Sequence, residues 1–262
     1  GKGIMADHWK EDVSKLYASL DLARKAVGVK LIETEAEFQS VEAVFPQKPI
    51  RYCQMVKGAS AGHSIKTNAS SFSCQSGPRV LGINQADENA HGENWARLGL
   101  YSSLELSAQV RAGLSYSQQP MYGVLVQPLE KYEEAPDVAV IVANPYNIMR
   151  ITQGYAYSYG MPGNINMLGN QAVCLECSAR PYVTQDMNIS LLCIGTRHLA
   201  CWGKDEMAAG IPASRFSKVV DGIYQTINIM EDDESKKRIA KNFAECNIPF
   251  DMKYQYNYYK DC

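Results

Sequence analysis

The fold class is decided by the stretch VAVIVANP, which occupies residues Val138 to Pro145. Its first five residues are β-branched or small and apolar, which is typical of a buried strand. Asn144 and Pro145 follow at once, and proline is favoured at the first helical position because its missing N–H needs no partner there. The stretch therefore predicts a strand that passes directly into a helix, and we expect that helix to continue to about Tyr159.

Working outward, other segments repeat these two patterns. Ala26–Glu33 and Tyr122–Val126 are rich in β-branched and apolar residues and are predicted to be strands. Apolar residues recur at helical spacing in Asp7–Leu22, in Glu93–Leu114 and in the segment that begins at Pro212. We therefore predict an α+β fold with a compact mixed sheet and flanking helices.

No linker or low-complexity segment divides the chain, so we predict a single domain over residues 1–262. An organisation in two pseudo-related lobes stays open, because two pairs of cysteines have similar spacings. We expect Met5 to be the native start, with Gly1–Ile4 a remnant of expression.

Composition narrows the class of protein. Lys and Arg total 26 and Asp and Glu total 28, which argues against a broad basic face for nucleic acid. No apolar run approaches the roughly 18 residues of a membrane-spanning helix, and the first residues lack the apolar core of a secretory signal. We therefore expect a cytoplasmic protein that binds neither nucleic acid nor membrane. In that compartment, the eight cysteines favour metal binding or redox chemistry over disulfides.

Two pairs of cysteines give the chain its clearest chemical signal. The members of the first pair are 21 residues apart and those of the second 19, and each pair lies among small, polar and glycine residues. We call them the four paired cysteines: Cys53, Cys74, Cys174 and Cys193. Thiolates are soft ligands that suit zinc, Cu(I) and iron–sulfur clusters. Delivered by four separate loops, they could hold a metal centre where two halves of the molecule meet.

An iron–sulfur cluster is the metal site that we expect. Clusters of the [4Fe-4S] type are held by cysteine thiolates, and Cys177 and Cys201 stay open as substitute ligands. Zinc is the alternative, although structural zinc sites usually show two closely spaced ligand pairs. Two interpretations without metal also stay open: ordinary buried thiols, since free cysteine behaves as a small hydrophobe, and a thioredoxin-like pairing of Cys174 with Cys177.

The chain also resembles one known family, a domain of unknown function numbered 169 and once labelled archaeal cysteine-rich, found in archaea and many anaerobic bacteria. The resemblance runs nearly end to end and is carried by VGVKL at 27–31, YCQMVKGA at 52–59, SC at 73–74, LG at 81–82, NP at 144–145, AVC at 172–174, NISLLCIGTR at 188–197 and DEMAAGIP at 205–212.

The resemblance implies no established reaction. It implies that the four paired cysteines are typical of the family and that the remaining ones are additions of this chain: Cys177, Cys201, Cys246 and Cys262. The family often has glycine before the cysteine at position 193 and a second cysteine soon after it, where this chain has Leu192 and Thr196. This departure leaves open whether Cys193 or Cys201 is the ligand.

Three residues near Cys193 are candidate catalytic groups. Glu206 could move protons beside a cluster, Arg197 could hold an anionic substrate in a bidentate grip, and His198 could act as an acid or base. His63 is a weaker candidate for the same role. Structural ion pairs and surface histidines are the alternative interpretation of these residues.

We therefore expect an iron–sulfur protein of anaerobic metabolism, used for electron transfer or for Lewis-acid chemistry on a small molecule. As an enzyme it would be an iron–sulfur oxidoreductase or lyase. Its partner would be a small-molecule substrate or a redox partner protein, and self-association stays open. The alternatives are a non-catalytic metal or cofactor carrier, an accessory protein for a partner enzyme, or a protein with structural thiols and a small-molecule pocket.

Overall fold

The computed structural model describes residues 2–84 and 91–254, with side chains from residue 8 onward. The helices in these ranges are α1 Lys2–Ser19, α2 Glu35–Ser40, α3 Tyr52–Ser60, α4 Ser76–Val80, α5 Glu93–Arg97, α6 Leu104–Ala112, α7 Pro145–Tyr159, α8 Arg180–Thr184, α9 Ile194–Leu199, α10 Ala213–Gln225, α11 Ile227–Met230 and α12 Asp233–Glu245. The strands are β1 Val27–Ile32, β2 Ile65–Asn68, β3 Gly123–Pro128, β4 Val138–Ala143, β5 Asn188–Ser190 and β6 Met207–Pro212. A π-helix spans Ala172–Ala179.

The strands form one sheet in the order β2-β3-β1-β4-β6-β5. The predicted α+β class is confirmed. All pairings between these strands are antiparallel. Within the described ranges, the parallel pairing that a mixed sheet implies is confined to two isolated bridges, Val44 with Ile65 and Ile50 with Phe72.

The two halves of the sheet repeat one another. In the first half Val27 of β1 lies opposite Pro128 of β3, and in the second Val138 of β4 lies opposite Pro212 of β6, at the same place in a six-residue ladder. β2 and β5 then join β3 and β6 in equivalent registers. Because β1 and β4 pair antiparallel, a pseudo-twofold axis passes between them. The two lobes that the cysteine spacings suggested are these two halves of one continuous sheet.

Both faces of the sheet are covered by helices. Side chains alternate between the two faces along each strand, so each strand contributes to both cores. In β4, Val138, Val140 and Val142 point to the core beneath α3, α4 and the π-helix. Ala139 and Ile141 point to the opposite core, beneath α1, α7 and α10. Every residue of β4 is buried, which explains why its sequence is an unbroken apolar run. The four paired cysteines belong to the elements on the α3 face.

Most of the predicted elements are confirmed, and two predictions need correction. The single helix expected over Glu93–Leu114 is wrong: α5 ends at Arg97 and α6 begins at Leu104, with Gly99 at φ +72° between them. The stretch before Pro212 is the strand β6, whereas the sequence indicated only the helix after it. No helix in the described ranges is both long enough and apolar enough to cross a membrane.

Candidate metal centre

The first cysteine of each pair lies in the first turn of a helix on the α3 face. Cys53 is the second residue of α3, whose start is held by the Gln54 side chain, which accepts a hydrogen bond from the Arg51 N–H at 3.1 Å. Cys174 is the third residue of the π-helix. The two helices are joined by a buried hydrogen bond of 2.8 Å between the hydroxyls of Tyr52 and Ser178.

The second cysteine of each pair follows the edge strand of its half, β2 or β5, and precedes a short helix. Cys74 stands two residues before α4, and Cys193 is the N-cap of α9. The Cys193 sulfur accepts a hydrogen bond from the Thr196 N–H at 3.4 Å and lies 2.9 Å from the Thr196 hydroxyl oxygen. All four paired cysteines therefore stand at or just before a helix start, where the helix dipole favours negative charge.

The structure brings the four paired cysteines together. All four line one cavity of about 210 Å³, and each is half-buried. A single water needs roughly 10–15 Å³ measured in this way, so the cavity has room for a group of several atoms. Arg51 is the charged side chain among the described lining residues, and the others are small, polar or apolar.

Burial and neighbouring thiols raise the pKa of Cys53 and of Cys174. Burial raises the pKa of the Cys53 thiol to about 11, and the neighbouring Cys193 and Cys74 thiols add to the rise. Burial raises the pKa of Cys174 in the same way, with contributions from all three partner cysteines. A helix start on its own would lower a thiol pKa, but burial outweighs it here. Thiolates at this site would therefore require a bound cation, which deprotonates the thiols that ligate it.

The paired cysteines do not form a site for one ion as they stand. In the described ranges, no group of three or more His, Cys, Asp or Glu side chains is placed to hold a metal ion. A tetrahedral zinc with Zn–S bonds of about 2.3 Å draws its sulfurs to within about 3.8 Å of each other. In a four-iron cluster each sulfur binds a different iron, so the four sulfurs stand farther apart around a larger group. Four thiols that line one cavity match such a cluster in the number and type of ligand.

The other cysteines lie away from the cavity lining. Cys177 is fully buried against the sheet, although it is only three residues from Cys174. Cys201 and Cys246 are exposed, and Cys262 lies outside the described residues. Neither Cys177 nor Cys201 therefore stands where it could replace a paired cysteine without rearrangement.

The three candidate catalytic residues do not line this cavity either. Arg197 donates to the backbone carbonyl oxygens of Leu191, Gly203 and Glu206 and so holds the loop after α9. His198 is exposed on α9. His63 is exposed after α3.

Glu206 is engaged in an ion pair. Its Oε1 lies 2.6 Å from the Arg24 Nε, and its Oε2 accepts from the Gly203 N–H. Burial alone would raise the pKa of Glu206, but the hydrogen bonds from Arg24 and Gly203 outweigh it and lower the pKa. These contacts engage Glu206 and Arg197 outside the cysteine cavity, and the catalytic roles predicted for them stay predictions.

Sequence reasoning gave no role to two residues that line the cavity. These residues are Arg51 and Thr196. The sequence feature that could have indicated them is their closeness to the paired cysteines: Arg51 stands two residues before Cys53, and Thr196 stands three residues after Cys193. Leu192 has φ +64°, a left-handed conformation that glycine adopts most readily. This accounts for the family's glycine at that position, so its replacement by leucine leaves the turn before Cys193 in place.

The fold and the site define an α+β protein with an internally repeated antiparallel sheet and a four-cysteine cavity on one face. The chain belongs to the DUF169 family, described as uncharacterised ArCR, whose model matches residues 15–222. It is 23% identical over 218 residues to the uncharacterized protein MJ0308 of Methanocaldococcus jannaschii, covering 82% of this chain and 93% of the relative. No solved structure matches the chain.

Proposed function

We propose that this protein binds a [4Fe-4S] cluster through the four paired cysteines and transfers electrons. One observation carries the proposal: four cysteines from four separate segments, two from each half of the sheet, line a single cavity. Soft thiolates are the ligands that such clusters take. The paired spacings and the repeated sheet registers support one ligand pair from each half.

Electron transfer is favoured over Lewis-acid chemistry because the ligand count is complete. Four cysteines can supply one thiolate to each iron, which leaves no open iron for a substrate. The cavity also lacks a carboxylate or histidine among its described lining residues, and these are the side chains most often used for general acid–base chemistry. A bound cluster supplies a one-electron couple whose potential depends on hydrogen bonds to the ligand sulfurs and on solvent exposure.

The experiment is anaerobic purification followed by iron, acid-labile sulfide and visible absorption measurements. We expect a brown protein with about four irons and four sulfides per chain, as the cluster formula requires. Replacing each of the four paired cysteines with serine in turn should remove most of the iron. Cys201→Ser and Cys246→Ser are the matched controls, because both thiols are exposed and outside the cavity.

Two results would overturn the proposal in different ways. A colourless protein without iron or sulfide after anaerobic purification and reconstitution would exclude the cluster. A protein that keeps its iron in the four single variants, but loses it in the controls, would show that the ligands lie elsewhere. Zinc bound in a ratio of one per chain, without sulfide, would identify the alternative metal.

A further inference from the structure

The three segments that carry the paired cysteines contain no acidic residue. Residues 43–86, 138–175 and 187–204 lack Asp and Glu entirely, although the chain as a whole has 28 of them against 26 Lys and Arg. Basic residues are retained there, including Lys48, Arg51 and Lys57. These three segments therefore carry a net positive charge.

Two basic residues lie in the segment that leads into α3, and one of them lines the cavity. Arg51 is a half-buried lining residue, and Lys48 is exposed three residues earlier. Between them, the backbone of Ile50 pairs with Ser71 and Ser73 at 2.9 and 3.0 Å, which places this segment beside the chain that leads into Cys74. The Arg51 charge therefore stands at the cavity beside Cys53, and Lys48 lies on the same segment.

Another part of the cavity rim, at α9, is apolar and exposed. Ile194 lines the cavity at the start of α9 and is 70% exposed, and Leu191 and Leu199 on either side of it are 50% and 44% exposed. An exposed apolar patch beside a functional site, rimmed by charge, is the usual anatomy of a protein contact surface. The paired cysteines beneath this surface are half-buried. A redox centre bound to them would therefore lie close enough to the surface to exchange electrons with a docked partner.

We propose that the mouth of the cysteine cavity docks a small acidic electron-carrier protein. Its carboxylates would face Lys48 and Arg51, and its apolar surface around the redox group would cover Ile194. This inference rests on the proposed function. One electron leaves the reduced carrier and is gained by the cysteine-bound centre, so the carrier is oxidised by one electron and no proton moves. Such redox contacts are small and transient, and charge complementarity acts mainly on their association rate.

The test uses the cluster-loaded protein and a reduced acidic flavodoxin as the probe, mixed in a stopped-flow instrument. We expect the second-order rate constant to fall steeply as salt is raised, because screening weakens steering. Lys48→Glu should lower the rate by about tenfold at low salt, and Arg51→Glu at least as much. Lys218→Glu is the matched control, since Lys218 is exposed on α10 on the other face of the sheet. It should leave the rate unchanged.

A second reductant separates failure of docking from failure of the cluster. The methyl viologen radical is a small cation, so the Lys48→Glu change should leave its rate equal or faster. If the protein holds no iron and sulfide, the proposed function itself fails. If viologen reduces the centre, but salt and Lys48→Glu leave the flavodoxin rate unchanged, only the docking proposal is overturned. Lys48 does not line the cavity, so this variant decides the question even if Arg51→Glu disturbs cluster loading.

Discussion

A single added methyl group at Gly210 should both destabilise the fold and impair the cysteine site. Gly210 lies in β6 beneath the π-helix, and a Cβ there would stand 2.2 Å from the backbone oxygen of Cys177 and 2.7 Å from its carbonyl carbon. Ordinary contact begins at 3.4 Å, so relief requires the π-helix to move about 1 Å away from the sheet. That helix carries Cys174, and its displacement would shift one wall of the cavity.

The magnitude of Gly210→Ala follows from the packing of the π-helix. Val173 and Leu175 are 1% and 3% exposed, and burial of such side chains contributes about 1.5–3 kcal/mol each. A gap of 0.5–1 Å forfeits roughly a quarter to a half of the dispersion energy of each contact. Together these values predict a loss of about 1–3 kcal/mol in the free energy of unfolding, the usual cost of overpacking. Urea denaturation of the metal-free protein should show a lower midpoint with an unchanged slope.

The control for Gly210→Ala is a similar clash on the other face of the sheet. In Gly222→Ala the new Cβ would stand 2.1 Å from the Gly154 oxygen, where α7 and α10 cross. We expect a comparable loss of stability, but normal iron per folded chain after reconstitution. A Gly210→Ala variant as stable as the parent protein would refute the π-helix packing. Equal iron loss in both variants would refute the link between the π-helix and the site.

Three further predictions concern single side chains. Thr196→Val removes the hydroxyl 2.9 Å from the Cys193 sulfur. Because hydrogen bonds to ligand sulfurs tune the reduction potential of a cluster, this change should make the midpoint potential of the proposed cluster more negative without loss of iron. An unchanged potential in a redox titration would contradict the prediction. Glu231→Gln breaks the pair in which Arg150 and Glu231 are 0% and 4% exposed and should cost about 3–5 kcal/mol in urea denaturation, whereas a loss below about 1 kcal/mol would count against it. The lowered pKa of Glu206 stabilises the fold above its ordinary value of 4.5, and this contribution is lost as the pH falls through the folded-state pKa. The difference in the free energy of unfolding between the parent protein and Glu206→Gln should therefore shrink as the pH is lowered. A difference that grows on acidification would contradict this prediction.

Local chemistry made several elements predictable. The strands β1, β3 and β4 are runs of β-branched and apolar residues, so their composition already favours the extended backbone. The start of α7 was predictable because Asn144 caps it, accepting from the Asn147 N–H at 2.9 Å, and Pro145 fills its first position. These signals act between neighbours in the chain, so they can be recognised without knowledge of the rest of the molecule.

Long-range packing decided what the sequence did not indicate. β6 contains Ala208, Ala209 and Gly210, which have little intrinsic preference for a strand. They form one because β4 and β5 pair on either side and because the π-helix lies too close for a larger residue at Gly210. Likewise, Cys174 lines the cavity and Cys177 faces the sheet, although the sequence C-x-x-C treats them alike.

The identities of the paired cysteines, the strand β4 and the start of α7 were determined by the amino-acid sequence alone, since residue type and local pattern suffice for them. The meeting of those cysteines in one cavity, the exclusion of Cys177 and the separation of Glu206 from the site were decided only by the tertiary structure. The physical reason is that these features depend on contacts between residues distant in the chain, and such contacts follow from the register of the sheet and the packing of α3 and the π-helix on it.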